Sequence, residues 1–284
     1  MKLHILNGGI LYTEWAFHWH FGTVDETGQE HQAGPYRVRN TQYFIDHPKA
    51  KIVFDLGFKL EDFQKFVGFP HRRGPEGVHA QQAPDENPLA QLALLGCKPD
   101  DIDYVVISHI MSEHAGWLPA FAGTKAKIIV QEKEYDYASR IGTPPIPGRP
   151  PAVEQFHSWM YHRKHFEVPG LNFHFIEGDY DLVGDDVTVL SLPGHTPGYQ
   201  GMLVNLPKTG PVVLSTCEHL GNYYDVPING YGPGIPHAFT WFAGGELASL
   251  KRVRDLVEKV EGQIFCGHDD EQWITLKHGA EYYD

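Results

Sequence analysis

Ser108-His109-Ile110-Met111-Ser112-Glu113-His114-Ala115-Gly116 follows directly on the apolar run Tyr104-Val105-Val106-Ile107. A short continuous apolar run of this kind predicts a strand buried on both faces. The loop after it places two imidazoles and a carboxylate on backbone that such a strand would hold rigid. Three further segments repeat the arrangement. Gly194-His195-Thr196-Pro197-Gly198, Ser215-Thr216-Cys217-Glu218-His219 and Cys266-Gly267-His268-Asp269 each come after an apolar, strand-like stretch. Four polar clusters at four strand ends predict one site assembled from distant parts of the chain.

Working outward, Gln42–His47 and Lys51–Gly57 read as a hairpin turning at Pro48. Asn87 to Gly96 reads as a helix, with an Asn cap, Pro in the first turn and Gly at the end. Lys127–Val130 predicts a strand and Glu132–Ser139 a helix. Asp186–Leu192, Tyr199–Leu206 and Pro211–Thr216 predict a second run of strands. Leu247, Leu250, Val253, Leu256, Val257 and Val260 recur at helical spacing, and Gln263–Cys266 reads as the last strand. Strands followed by helices, twice over, predict a layered α/β fold with helices outside two sheets. The whole chain, 1–284, reads as one domain. Residues 142–170, rich in Pro, aromatics and His, read as an inserted loop or cap, and 220–243 as loop.

Composition narrows the function classes. At 284 residues the chain can bury a sizeable core, and 42% hydrophobic with 21% charged residues is ordinary for a globular protein. A net charge of −13 argues against nucleic-acid or anionic-membrane partners. No apolar stretch approaches the about 20 residues of a membrane span. The segment Met1–Gly9 is too polar for a secretory signal. Cys97, Cys217 and Cys266 cannot all pair and lack zinc-ribbon spacing, so a reducing cytoplasm is expected. The unusual number is 18 histidines, several of them in loops where apolar strands end. A lone His there is usually a hydrogen-bonded structural residue. An ordered set invites metal ligation instead, and the candidate ligands are His109, Glu113, His114, His195, Glu218 and His268.

At these residues the chain resembles the metallo-β-lactamase superfamily, in its branch of N-acyl-homoserine-lactone lactonases and pyridoxolactone hydrolases. That family's loop reads His-x-His-x-Asp-His, followed by a third-loop His, a bridging Asp at a strand end and a late Gly-His. Asp55-Leu56-Gly57, Leu95-Gly96 with Asp101-Ile102-Asp103, Leu192-Pro193-Gly194-His195-Thr196-Pro197-Gly198 and Gly267-His268-Asp269-Asp270-Glu271-Gln272 are similar to family segments in family order. The resemblance covers most of the chain and implies a four-layer αββα sandwich. It also implies His109, His195 and Glu218 at one metal position, and Glu113, His114, His268 and shared Glu218 at a second. One or two ions fit this set, zinc first, with manganese or iron as alternatives.

The departures are specific. Met111 stands where the family has its second loop histidine, Glu113 where it has the loop aspartate, and Glu218 is aligned with the bridging aspartate in preference to Cys217. Met111 is expected to fill space, since a thioether is a poor partner for such ions. Two buried carboxylates without a cation would each cost several kcal/mol of desolvation, which favours a rebuilt site over a lost one. The implied activity is a metal-dependent hydrolase acting on a small lactone or ester, with Glu113 and Glu218 as proton-carrying carboxylates. Tyr223 or Tyr224 would hold the oxyanion. Alternatives on the same scaffold are displacement of halide or alkoxide from an activated aromatic ring, di-iron redox chemistry and a non-catalytic binding protein. A small molecule is the expected partner, and whether the chain forms a homo-oligomer is left open by the sequence. The aromatic segment Trp15-Ala16-Phe17-His18-Trp19-His20-Phe21, with Tyr231, Phe239, Trp241 and Phe242, could line a substrate pocket or simply pack.

Overall fold

The computed structural model describes residues 1–14, 35–64, 80–141, 160–223 and 240–284. The aromatic segment 15–21, Tyr224, Tyr231, Phe239 and residues 142–159 of the expected insertion lie outside the described residues. The strands are β1 (Lys2–Glu14), β2 (Pro35–His47), β3 (Ala50–Phe54), β4 (Ala80–Gln81), β5 (Tyr104–Val106), β6 (Lys127–Gln131), β7 (Phe173–Ile176), β8 (Tyr180–Asp181), β9 (Val187–Ser191), β10 (Gln200–Leu206), β11 (Gly210–Ser215) and β12 (Gln263–Cys266). They form a seven-stranded sheet in the order β4-β1-β2-β3-β5-β6-β7 and a five-stranded sheet in the order β12-β11-β10-β9-β8.

Period-two alternation in the sequence builds the layers. Ile52 and Phe54 of β3 point between the sheets, as do Tyr43 and Ile45 of β2, and they meet Val187, Val189, Met202, Val204, Val212 and Leu214 of the smaller sheet. The alternate residues face outward. Phe44 and Val53 pack with Leu92, Tyr137, Ala138 and Ile141 from the helices Pro88–Leu94 and Glu132–Ile141. Val213 packs instead under Leu250, Val253 and Val257 of the helix Ala243–Val260. The result is the expected αββα sandwich, helices outside two sheets. Among the described residues no helix is long and apolar enough to cross a membrane.

The expected elements form, but β2 begins seven residues earlier than expected, at Pro35, and the stretch expected as loop from 220 opens with a short helix, Leu220–Tyr223. Asn87 caps its helix by accepting from the Ala90 N–H at 3.0 Å. Four strands, β1, β4, β7 and β8, have no counterpart among the expected elements. In β1, Asn7-Gly8-Gly9 looks like a turn; the structure instead shifts register between Asn7 and Ile10 and continues the pairing with β2. In the edge strand β7 only Ile176 is buried, so its sequence carries little strand signal. In the described part of the expected insertion, Tyr161 and Phe166 are buried in the same outer core as Tyr137.

That region also carries a titratable pair. His165 and Asp62 are both buried, with His165 Nε2 2.8 Å from Asp62 Oδ2, while Lys164 Nζ reaches Asp62 Oδ1 and the His162 ring lies tilted against His165 at 5.3 Å. Burial pushes the His165 pKa down to about 4 against the pull of Asp62. The unfolded chain therefore binds a proton near pH 6.5 that the folded chain refuses until about pH 4. This share of stability is whole above pH 6.5 and is lost as pH falls through that window, about 2–3 kcal/mol in all. Urea unfolding at pH 7 and pH 5 should show it. His165→Gln, which keeps a donor for Asp62, should flatten the slope; an unchanged slope would rule His165 out as its source.

Candidate metal centre

The site lies where the C-terminal ends of β3, β5, β11 and β12 meet the loop after β9. Asp55, just past β3, has φ 61° and a fully buried side chain. Its Oδ1 accepts the Ser108 N–H at 2.7 Å and its Oδ2 accepts the Ser108 hydroxyl at 2.7 Å. His114 Nδ1 stands 2.7 Å from the same Oδ2. Backbone bonds from Leu56 N to His114 O (2.8 Å) and from Gly116 N to Gly57 O (2.9 Å) seat the short helix Ser112–Ala115 on this turn. The β11 and β12 loops touch almost backbone to backbone. A Cβ on Gly267 would come within 2.4 Å of the Thr216 carbonyl oxygen, so only glycine allows His268 this close to Cys217. A Cβ on Gly194 would likewise fall 2.1 Å from the Glu246 backbone nitrogen. The His195 loop can therefore rest on the start of the helix Ala243–Val260.

Hydrogen bonds set the imidazole tautomers. The Ser108 hydroxyl spends its proton on Asp55, so at 3.0 Å it accepts from His109 Nδ1. His114 Nδ1 gives its proton to Asp55, and His268 Nδ1 gives its proton to the Arg39 carbonyl at 2.8 Å. Each ring keeps a lone pair on Nε2. His195 Nε2 lies 3.2 Å from Cys217 Sγ. At this place three trios offer one donor atom per residue, within each trio all within 4.8 Å of one another: His109/His195/Cys217, His114/Cys217/His268 and His109/Glu113/His114; a fourth trio, Asp62/His162/His165, is the cluster described above. Every member of the first three is buried. Donors around one zinc are separated by about 3.5 Å, so small rotations would close each trio. His114 Nε2 and Glu113 Oε2 are buried with no hydrogen-bond partner. Orphans of that kind are costly unless something charged or polar fills the space between them, so the donor set fits a divalent cation.

The surrounding carboxylates favour positive charge at this place, which a bound cation would supply in place of protons. Burial opposes charge on His114, but the Asp55 carboxylate outweighs it and raises the pKa. Burial raises the Glu113 pKa, with Asp55 adding to the effect and His114 opposing it.

The structure therefore brings together His109, Glu113, His114, His195 and His268. Glu218 is in none of these trios, and its Oε2 accepts from the Tyr199 hydroxyl at 2.6 Å and from the Ser215 hydroxyl. Tyr223 is buried with its hydroxyl 2.6 Å from Ser215 Oγ, in the same network. Met111 is buried in the outer core beside Ile110, Ala115 and Tyr161. Asp269 caps the helix Asp270–Trp273 through Gln272 N and also accepts the Leu220 N–H at 2.9 Å. Three positioning residues, Tyr199, Gln200 and Glu134, carry no site signal in the sequence, and Asp55 reads there only as part of a family segment. Glu134 is buried on the first turn of its helix. It accepts from Ile110 N (3.0 Å), Tyr161 OH (2.9 Å), Thr196 Oγ1 (2.6 Å) and Gly198 N (3.2 Å). It thus ties the His109 loop to the His195 loop. Gln200 gives one Nε2–H to the Ile107 carbonyl and one to that of Ile129, joining the two sheets beneath the site.

The profile of the metallo-beta-lactamase superfamily matches residues 35–268, and the chain belongs to that superfamily. Its similarity then narrows to one kind of enzyme within it. The chain is 32% identical over 257 residues to the N-acyl homoserine lactonase AttM of Azorhizobium caulinodans, covering 88% of this chain and 89% of that one. It is 35% identical over 246 residues to an N-acyl homoserine lactonase of a Bacillus species, covering 84% and 85%. A solved N-acyl homoserine lactone hydrolase, with N-hexanoyl-L-homoserine at its catalytic metal centre, superposes with a TM-score of 0.76. The sequences there are 25% identical, over 99% of this chain and 98% of the other. The chain is a hydrolase of this fold, and the family implies a divalent metal.

Proposed function

We propose that this protein opens the ring of N-acyl homoserine lactones, using a divalent metal held by His109, His195, His114 and His268. The observation that carries the reading is the convergence of these imidazoles, each of the first, third and fourth turned by a fixed Nδ1–H bond, on one buried volume. When bound, the metal supplies Lewis acidity, acidifying water and polarising the scissile carbonyl. Glu113 carries protons. Its unpartnered Oε2 and burial-raised pKa suit a carboxylate that takes a proton from water and returns it to the leaving ring oxygen. Glu218 and Tyr223, joined through Ser215, hold charge and protons behind the cluster. Trp241 and Phe242 are 42% and 57% exposed and bond through their backbone N–H groups to His195 and Gly194. They offer an apolar surface beside the site for an acyl chain. Zinc is the ion we favour, because nitrogen donors dominate. The free, buried Cys97, Cys217 and Cys266 support a reducing compartment, the cytoplasm.

The test is proton release from N-hexanoyl homoserine lactone by zinc-loaded protein, followed before and after dialysis against a strong chelator. Stripping should remove at least about 1,000-fold of turnover, a few kcal/mol of transition-state stabilisation, and zinc should restore it. Turnover that survives in metal-free protein, or a loaded protein inert towards every lactone offered, would refute the reading.

A further inference from the structure

The trio that contains His195 and the trio that contains His268 have one residue in common, Cys217. Cys217 Sγ belongs to the trio with His109 and His195 and to the trio with His114 and His268. The carboxylate one residue further on is in none of these trios, and its Oε2 accepts from Tyr199 and Ser215. The Cys217 N–H donates to the same Tyr199 hydroxyl at 3.2 Å. The Tyr199 ring lies edge-on to both His109 and His195. One tyrosine thus contacts both residues, and it is the thiol that lies among the four histidines.

Resting on the metal-dependent reading above, we propose that the Cys217 thiolate, not the Glu218 carboxylate, is the ligand common to both metal positions. The first position then has His109, His195 and Cys217. The second has His114, His268 and Cys217, with Glu113 beside His109 and His114 in reach of either. Each keeps three protein donors, the minimum for a catalytic site with an open coordination place, although Met111 contributes nothing from the outer core. Binding replaces the S–H bond by a sulfur–metal bond and releases that proton to solvent. A soft, polarisable donor at the shared place selects zinc or iron(II) and disfavours manganese and magnesium, which prefer oxygen. A thiol nucleophile paired with His195 is the competing use of the same sulfur. That use requires one imidazole, whereas here four rings crowd the thiol.

Cobalt(II) is the probe. Cobalt-loaded wild-type protein should show a thiolate-to-cobalt charge-transfer band in the near ultraviolet alongside its visible ligand-field bands. Cys217→Ser should lose the former and keep the latter, with at least tenfold weaker zinc binding. Cys266→Ser, at the neighbouring strand end, should keep both, which identifies the sulfur even if Cys217→Ser folds poorly. Cys217→Asp should shift the ratio of zinc to manganese affinity towards manganese by tenfold or more. Ligand-field bands without a thiolate band would overturn this proposal and leave the hydrolase reading standing. Failure to take up cobalt or zinc at all would overturn both. A covalent acyl adduct on Cys217 in metal-stripped protein given a lactone would assign the sulfur to catalysis and overturn it as well.

Discussion

Replacing Asp55 with Asn is expected to lower metal affinity and turnover by about 100-fold each, with the fold intact. Asp55 Oδ2 accepts from both the Ser108 hydroxyl and His114 Nδ1, and Oδ1 accepts the Ser108 N–H. An amide can present oxygen to only one of those sides. Its NH2 group either confronts the Ser108 N–H or displaces the proton of His114 onto Nε2, the nitrogen that faces the other donors. A ring protonated there cannot ligate. The backbone gives no second reason for the loss, because Asn accepts a φ of 61° as readily as Asp. Competition titration with a chromophoric chelator measures the affinity, and a melting curve within about 2 °C of wild type certifies the fold. Unchanged affinity would mean that Asp55 does not orient His114.

Glu134→Ala should cost about 3–5 kcal/mol and lower the melting temperature by roughly 10 °C. Four donors converge on that carboxylate from three segments, Ile110, Tyr161 and Thr196 with Gly198. Burial pushes its pKa up and the four hydrogen bonds hold it back. Truncation leaves two backbone N–H groups and two hydroxyls buried without a partner, each costing about 1–3 kcal/mol before relaxation. Glu134→Gln keeps one oxygen but turns its NH2 group towards two of the donors, so about half the loss is expected. Calorimetry decides the matter: a melting temperature within about 2 °C of wild type in the alanine variant would show that the two loops are held by other contacts. The same variant should lose activity out of proportion to its residual folding, because the His109 and His195 loops are no longer tied together.

Much of this molecule was legible in its residues. Period-two alternation in β3, β10 and β11 sorts side chains between the inter-sheet core and the outer cores, and helical spacing in Ala243–Val260 marks the covering helix. These are local patterns, and local patterns survive into the fold. The imidazoles at 109, 114, 195 and 268 were legible for a similar reason. Each follows a strand end, His114 on the short helix that comes after β5, and buried strands in parallel register deliver such segments to one edge.

Contacts between segments far apart in sequence were settled only by the fold. Asp55 reads as part of a hairpin and Glu134 as an ordinary helix start until β5 and the His195 loop arrive beside them. The choice between Cys217 and Glu218 is of the same kind. Successive side chains at the end of a strand leave on different sides, so a shift of one residue exchanges a sulfur for a carboxylate. No pattern within β11 indicates which side faces the histidines. The Tyr199 hydroxyl, from the residue just before β10, donates to Glu218 Oε2 and accepts the Cys217 N–H, contacts that no local pattern announces.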